Sequence, residues 1–411
     1  MRFLRRLFGK DQPPERDEDR FARRLVEAIH AADPAIRVAY DQEQFELRHI
    51  DAGAQGQRMF LANAFAEYQR LDPDGQDDHI ANLVRFVRES RKPQPTGEAA
   101  LDMLMPVVRA RADLLAVMGQ QEGDFAYTRS SRAFCETMLV MLALDLPDAI
   151  RLVTDEDLAA LNVSFEDALG IAVAHLDERG SHNFGQLAEG TFVTTCGDHY
   201  DASRVLIPEM FEQLPLRGHP VAIVQARSAV LVTGSEDAEG LAMIAGFALE
   251  DFPQNERAVA LHPIELVEGD WRPLMLGPQH PDALRNLKPH QDVWAYGATQ
   301  ETVQGLLGDD IYAASALLVE QDGKAATAAT WAAGVPTACP LVDALLIEED
   351  GDFPKLCRSL EDVLKVCGPF EAVTAFPHPP RWMLPGRMTA AQRADLTANY
   401  SEHVFFPVGS A

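Results

Sequence analysis

The run GDHYDASRVL, residues 197–206, sets two aspartates, a histidine, a tyrosine, a serine and an arginine into ten positions between apolar stretches. A histidine beside a carboxylate suits general acid–base work, and a helix start with unpaired N–H groups offers a seat for an anion. Asp198, Tyr200, Asp201, Ser203 and Arg204 are the candidate binding residues on that reading. The same residues also make a turn into a helix. Gly197 and Asp198 suit a tight bend, and Asp201 stands where an N-cap carboxylate would accept hydrogen bonds. Arg204, three residues further on, would pair with Asp201, and Ala202, Val205, Leu206 and Met210 recur at core-facing helical spacing. Pro208 predicts that the helix restarts there. No Gly-x-Ser-x-Gly elbow surrounds Ser203, and the chain holds neither a Gly-x-x-x-x-Gly-Lys loop nor a dinucleotide fingerprint. The sequence therefore assigns no catalytic residue and no cofactor.

A metal reading would start from Cys196 and His199 and recruit His182 or His175. Two ligands at that spacing arise readily by chance, whereas a structural zinc site needs four, so no metal is assigned. The five cysteines, Cys135, Cys196, Cys339, Cys357 and Cys367, are scattered and odd in number, which fits a reducing, cytoplasmic setting.

The elements that must position the motif follow from patterning. Phe21, Leu25 and Ile29, with Val26 beside them, form a helical stripe in RFARRLVEAIHAA. IRVAYDQEQFELRHI predicts a hairpin, and MFLANAFAEYQRL and DHIANLVRFVRES predict helices separated by a DPDG turn. ETMLVMLALDL suits a buried strand or a helix. TDEDLAAL and SFEDALGIAVAHL each open on a capping-box pattern, Thr154 with Asp157 and Ser164 with Asp167. GTFVTTC is a short strand leading into the motif, HPVAIVQARSAVLVTGSED reads as strand, turn, strand, and AEGLAMIAGFALEDF as a helix with Leu241, Ile244, Ala245 and Ala248 on one face. Further on, DVWAYGA, IYAASALLVE and LVDALLIEEDG predict strands, QDGK a hairpin turn, and CRSLEDVLKVCG a helix ending at Gly368. The framework Asp-x-Tyr-x-Ala-Ser-x-x-Leu occurs twice, from Asp198 and from Asp310, but with helix after the first and strand through the second it reads as coincidence. Trp331 reads as a partly buried packing residue, and His378 as part of a proline-stiffened loop.

These patterns predict an α+β fold, with mixed sheets, helices packed on one face, and two or three subdomains. The loop RKPQPTGE and the Pro- and Gly-rich EGDWRPLMLGPQHPDAL mark boundaries, giving a tail at 1–15, a helix-hairpin-helix unit at 16–95, an αβ core at 96–275 that includes the preceding unit, and a C-terminal αβ domain at 283–411. A formal charge of −27 argues against nucleic acid as a partner. The opening MRFLRRLFGK admits a short amphipathic helix on a membrane surface, but a loose tail is the favoured expectation, with neither a secretory signal nor a spanning helix evident.

GDHYDASRVL, with LALDLPDAIRLVTDEDLAALNVS and ALGIAVAHL before it and VAIVQARSAVLVTGSED after it, resembles the YtpQ-like family, bacterial proteins carrying a domain of unknown function. NAFAEYQRL and HPIELVEGDWRP are similar to the same family's flanking segments, so the resemblance spans about residues 20–273 and leaves the C-terminal region outside. Two positions depart from the family pattern: His175-Leu176 stands where the family has Asn-Leu, and His199-Tyr200 where it has Gly-Tyr. The resemblance implies a mixed αβ cytosolic protein, does not require histidine at position 199, and implies no activity. The expected function is non-enzymatic binding, to another protein or to a second copy of the chain. A small-molecule hydrolase or transferase working at the 198–204 turn is the alternative, and a peripheral membrane accessory acting through residues 1–10 is a third reading.

Overall fold

A stripe of Phe21, Leu25 and Ile29, all buried, makes Asp17–Ala32 the first helix, and Asp17, Glu18 and Asp19 in its first turn complement the partial positive charge of the helix start. The structure, a computed structural model, describes residues 16–50, 58–89, 91–92, 95–112, 130–180, 182–252, 257–349 and 352–401. The basic segment at residues 1–10 lies outside them. The chain divides into two compact units, Met1–Met103 with Leu144–Arg151, and Leu104–Ala143 with Leu152–Ala411.

In the first unit the expected hairpin forms, Val38–Asp41 against Glu46–His49, and Arg58–Phe60 adds a third antiparallel strand that the residue pattern had not indicated. The helices Ala62–Arg70 and Pro73–Glu89 come next. DPDG is not a free turn between them. Pro73, Asp74 and Gly75 form the first turn of the second helix, where Asp72 Oδ1 accepts the Gly75 N–H at 2.8 Å, because proline lacks the N–H that a helix start leaves unpaired. Phe21, Leu25, Leu47, Leu61, Phe65 and Ile80 share one core, with the Phe21 ring 5.5 Å from Phe65 and 4.9 Å from Tyr68.

The second unit holds the motif. Met138–Leu146 is the buried strand; its part up to Ala143 belongs to this unit and lies in a sheet with Leu104–Ala110 and Ser131–Phe134. Thr154 and Asp157 make the full reciprocal capping box, whereas Ser164 caps its helix by accepting the Asp167 N–H at 3.1 Å. A six-stranded antiparallel sheet runs in the order Asp270–Pro273, Ile264–Val267, Pro220–Ala226, Ala229–Gly234, Thr191–Thr194, Phe184–Ala188. The helix Ala238–Asp251 covers it, setting Leu241, Ile244, Ala245 and Ala248 against Val221, Ile223 and Leu231. Leu274 and Leu284 belong to that same core.

DVWAYGA, expected as a strand, is instead the middle of the 21-residue helix Leu287–Leu307. Its Val, Trp and Tyr carry β propensity, but burial of the helix on more than one side overrides that preference. Polar side chains are enclosed with the apolar ones because they serve backbone groups elsewhere. Gln291 Oε1 accepts the Leu261 N–H at 2.6 Å. Gln304 accepts the Ala313 N–H and donates to the Ile311 carbonyl, both at 2.9 Å, which satisfies the margin of a strand. No apolar stripe survives that arrangement.

IYAASALLVE is divided into two strands, Tyr312–Ala313 and Leu317–Gln321, which join different four-stranded sheets. The second pairs with Lys324–Trp331 through the QDGK turn, where Asp322 and Gly323 both take positive φ. Ala344–Glu349 is a strand, and Leu360–Cys367 a helix ended by Gly368, as expected. Trp331 is more enclosed than expected. It is 2 % exposed, with its indole N–H donating to the Pro385 carbonyl at 2.6 Å.

His378 lies in the loop before Arg381–Leu384, and burial, followed by the charge of Arg111, lowers its pKa from 6.5 to about 4. The unfolded chain therefore takes up this proton first as pH falls. Stability from the neutral ring is present above the unfolded value of 6.5 and is lost on the way down to about 4, by on the order of 2 kcal/mol. Urea unfolding of wild type and His378→Gln at about pH 7.5 and about pH 4.5 should show the larger acid loss in wild type. Equal losses in the two proteins would remove His378 as the cause.

Candidate functional site

The strand Thr191–Thr194 delivers the chain to a turn in which Gly197 and His199 take φ of 71° and 66°. Glycine adopts that left-handed conformation without a side-chain clash. His199 does not share that freedom, and the bond from the Tyr200 N–H to Asp198 Oδ1, 3.1 Å, holds the turn around it. The turn leads into a 3-10 helix, Asp201–Leu206, rather than the α-helix that the spacing suggested, with a separate short helix, Glu209–Glu212, starting after Pro208.

Two expectations about pairing are corrected. Asp201 is not the cap of the helix; Tyr200 occupies that position, and Asp201 Oδ1 reaches back to accept the Cys196 N–H at 3.0 Å. Arg204 pairs with Asp198 rather than Asp201, Nη2 to Oδ2 at 2.8 Å, with the Arg204 side chain 0 % and the Asp198 side chain 19 % exposed. The left-handed turn at His199 brings these two together, whereas regular helical spacing would have favoured the residue three positions away.

The other candidates are also engaged. Ser203 is buried and its Oγ accepts the Val108 N–H at 3.2 Å, tying the turn to the strand Leu104–Ala110. Tyr200 is 2 % exposed, with the Arg179 guanidinium 5.1 Å from its ring centroid. The Ala202 N–H donates to the Arg227 carbonyl at 3.1 Å, and Trp271 Nε1 donates to the Val205 carbonyl at 2.8 Å. The turn thus links several strands and loops of its unit. Ala202, Val205 and Met210 face the core as expected, while Leu206 is only half-buried.

The Ser203 hydroxyl accepts a backbone amide N–H, and among the described residues no base is shown at hydrogen-bond distance from it. Burial raises the Cys196 thiol above its ordinary value, although Arg204 pulls in the opposite direction, so the thiolate needed for nucleophilic work is disfavoured at neutral pH. His175 Nδ1 lies 3.0 Å from the Leu104 carbonyl and His182 Nε2 lies 2.9 Å from Asp177. Among the described residues no three His, Cys, Asp or Glu side chains are grouped to hold a metal ion.

Concave surface is found elsewhere in the second unit. A cavity of about 620 Å³ is bounded by Trp331 at the end of its strand, Ile347 within the strand Ala344–Glu349, the segment from Gly386, and one face of the helix Ala390–Asn399. Reasoning from sequence missed it. The available signal was TAAQ, residues 389–392, a capping box in which Thr389 Oγ accepts the Gln392 N–H at 3.2 Å. A smaller cavity of about 430 Å³ adjoins Pro336, Cys367 and Phe370.

Comparison with protein-family models, with curated proteins and with solved structures finds no match to this chain. Its α+β architecture stands on the structure itself. Among the described residues no helix is long and apolar enough to cross a membrane.

Proposed function

We propose that this chain is a non-enzymatic, cytoplasmic binding protein of YtpQ-like type, which associates with another protein or with a second copy of itself. One observation carries the reading: the polar groups of the 198–204 turn are occupied in holding the fold. Asp198 is bonded to Arg204, Asp201 to the Cys196 amide, and Ser203 to the Val108 amide. A turn so occupied anchors a scaffold, and among the described residues it brings together no acid, base and nucleophile. The cytoplasmic assignment draws on the cysteines, all five of which are free thiols.

Light scattering across a concentration series, with cross-linking and recovery of the tagged chain from its native cells, tests the association. The expected result is a defined dimer or a stoichiometric protein partner. A monomer at every concentration with no stoichiometric partner would reject the proposal. So would turnover of ester or phosphomonoester substrates that is abolished in Asp198→Asn.

A further inference from the structure

We propose that Phe184–Ala188, an outer strand of the six-stranded sheet, pairs antiparallel with the same strand of a second copy of the chain, joining the two sheets into one. The strand has a neighbour on one side only, Thr191–Thr194. The Thr195 N–H donates to the Asn183 carbonyl at 2.9 Å, and bonded pairs alternate along an antiparallel ladder. Gly185 with Val193 is therefore the next bonded pair, and the N–H and C=O groups of Phe184 and Gln186 point to the open edge. Among the described residues no strand or loop backbone pairs with that edge. Gln186 and Leu187 are exposed, Leu187 by 41 %, so the edge is accessible. A row of unpaired amides and carbonyls is complementary to another extended backbone.

The side chains select a second copy as the partner. The chain carries a formal charge of −27, and like charges set across from each other oppose pairing, yet Phe184–Ala188 has no charged residue and no proline. The outer strand at the other side of the sheet, Asp270–Pro273, has both, and the Trp271 carbonyl there accepts the Cys135 S–H at 3.5 Å. Two-fold pairing about Gly185 places Phe184 of one copy opposite Gln186 of the other, and each such pair exchanges both backbone bonds. The same register sets the two Phe184 rings diagonally across the seam on one face, within reach of each other. Phe184 is half-buried and lies 5.5 Å from Phe211, which lies 5.2 Å from Trp271, so a second Phe184 extends this aromatic row. An unrelated peptide would supply the backbone bonds with no ring fixed at that place. Strand pairing alone buries less than the ~1,200 Å² of a stable interface, so the dimer is expected to be weak and concentration-dependent.

The inference rests on the association reading and names its surface, so the two are tested apart. Sedimentation equilibrium of the full chain at rising concentration should show a monomer–dimer equilibrium, and Leu187→Lys and Gln186→Pro should each raise the dissociation constant about tenfold or more. Gln186→Pro removes an N–H that faces the open edge and spares the bonds to Thr191–Thr194, and Leu187 is exposed, so thermal melting of both variants is expected to match wild type. If Gln186→Pro melts lower, Leu187→Lys carries the test alone. Amide exchange reads the register: the Phe184 and Gln186 N–H groups should exchange about tenfold more slowly in the dimer than in the monomer, with Gly185 alike in both. A dimer undiminished by the folded variants, or unchanged exchange at Phe184 and Gln186, would overturn the edge proposal and leave the association reading standing. A wild-type monomer that recovers a different, stoichiometric protein from its native cells would do the same, whereas a monomer without any partner would overturn both.

Discussion

Replacing Asp198 by alanine is expected to lower the unfolding free energy by about 3 kcal/mol, read as a shift in urea midpoint at unchanged slope. The size reflects an asymmetry in the pair. The Arg204 side chain is fully buried and the Asp198 side chain is 19 % exposed. Removing the carboxylate leaves a guanidinium charge inside the fold without this neutralising group, and it also releases the bond from the Tyr200 N–H that closes the turn. Arg204→Met should cost less, because the remaining carboxylate already reaches solvent and the methionine fills the vacated volume. The double variant Asp198→Ala/Arg204→Met should recover part of the loss, since it removes the buried charge together with its partner. If Asp198→Ala unfolded at the wild-type midpoint, the turn would not be a structural anchor, and the main support for a binding function would go with it.

Gly234→Ala is expected to destabilise by about 3 kcal/mol or more. A Cβ at Gly234 would lie 2.0 Å from the Arg217 carbonyl oxygen and 2.7 Å from the Arg217 nitrogen. The obstructing atoms are backbone and cannot rotate away. They are also held in place: the Glu236 N–H donates to the Arg217 carbonyl at 3.0 Å, the Ser235 N–H to the His219 carbonyl at 2.8 Å, and Arg217 Nη2 to Asp237 at 2.7 Å. Relieving the clash would break the hairpin edge or uncap the helix Ala238–Asp251, whose start Asp237 holds through the Gly240 N–H. Gly170→Ala provides the contrast, because it lies within the helix Phe165–Glu178 with nothing within 4 Å of the added carbon. That change should be neutral or stabilising by up to about 1 kcal/mol. Equal urea midpoints for the two variants would show that the 217–219 segment yields freely.

What could be read from the residues alone was local. Thr154 and Asp157 announce their helix because both capping groups lie within four positions of chain, and QDGK announces its hairpin because Asp322 and Gly323 tolerate the positive φ that such a turn requires. Phe21, Leu25 and Ile29 announce theirs because one face meets a core and the other meets water. The helix Leu287–Leu307 gave no such sign. Gln291 and Thr299 are buried in it alongside Leu287 and Val303, and they are there to bond with backbone groups, Gln291 with an amide distant in sequence.

The motif divides in the same way. Its turn was legible from Gly197 and Asp198, whose conformational preferences are their own. Its pairing was not, since the left-handed backbone at His199 brings Asp198 rather than Asp201 to Arg204, and Val108, 95 positions away, supplies the partner of Ser203. The cavity beside the helix Ala390–Asn399 is the extreme case. Trp331, Ile347, Arg387 and Arg393 are placed together by strand pairing and helix packing, and no single segment carries its shape. Residue chemistry and short-range backbone preference thus determined the elements of this protein, while partners and surfaces were decided by contacts across long stretches of chain, which no local pattern encodes.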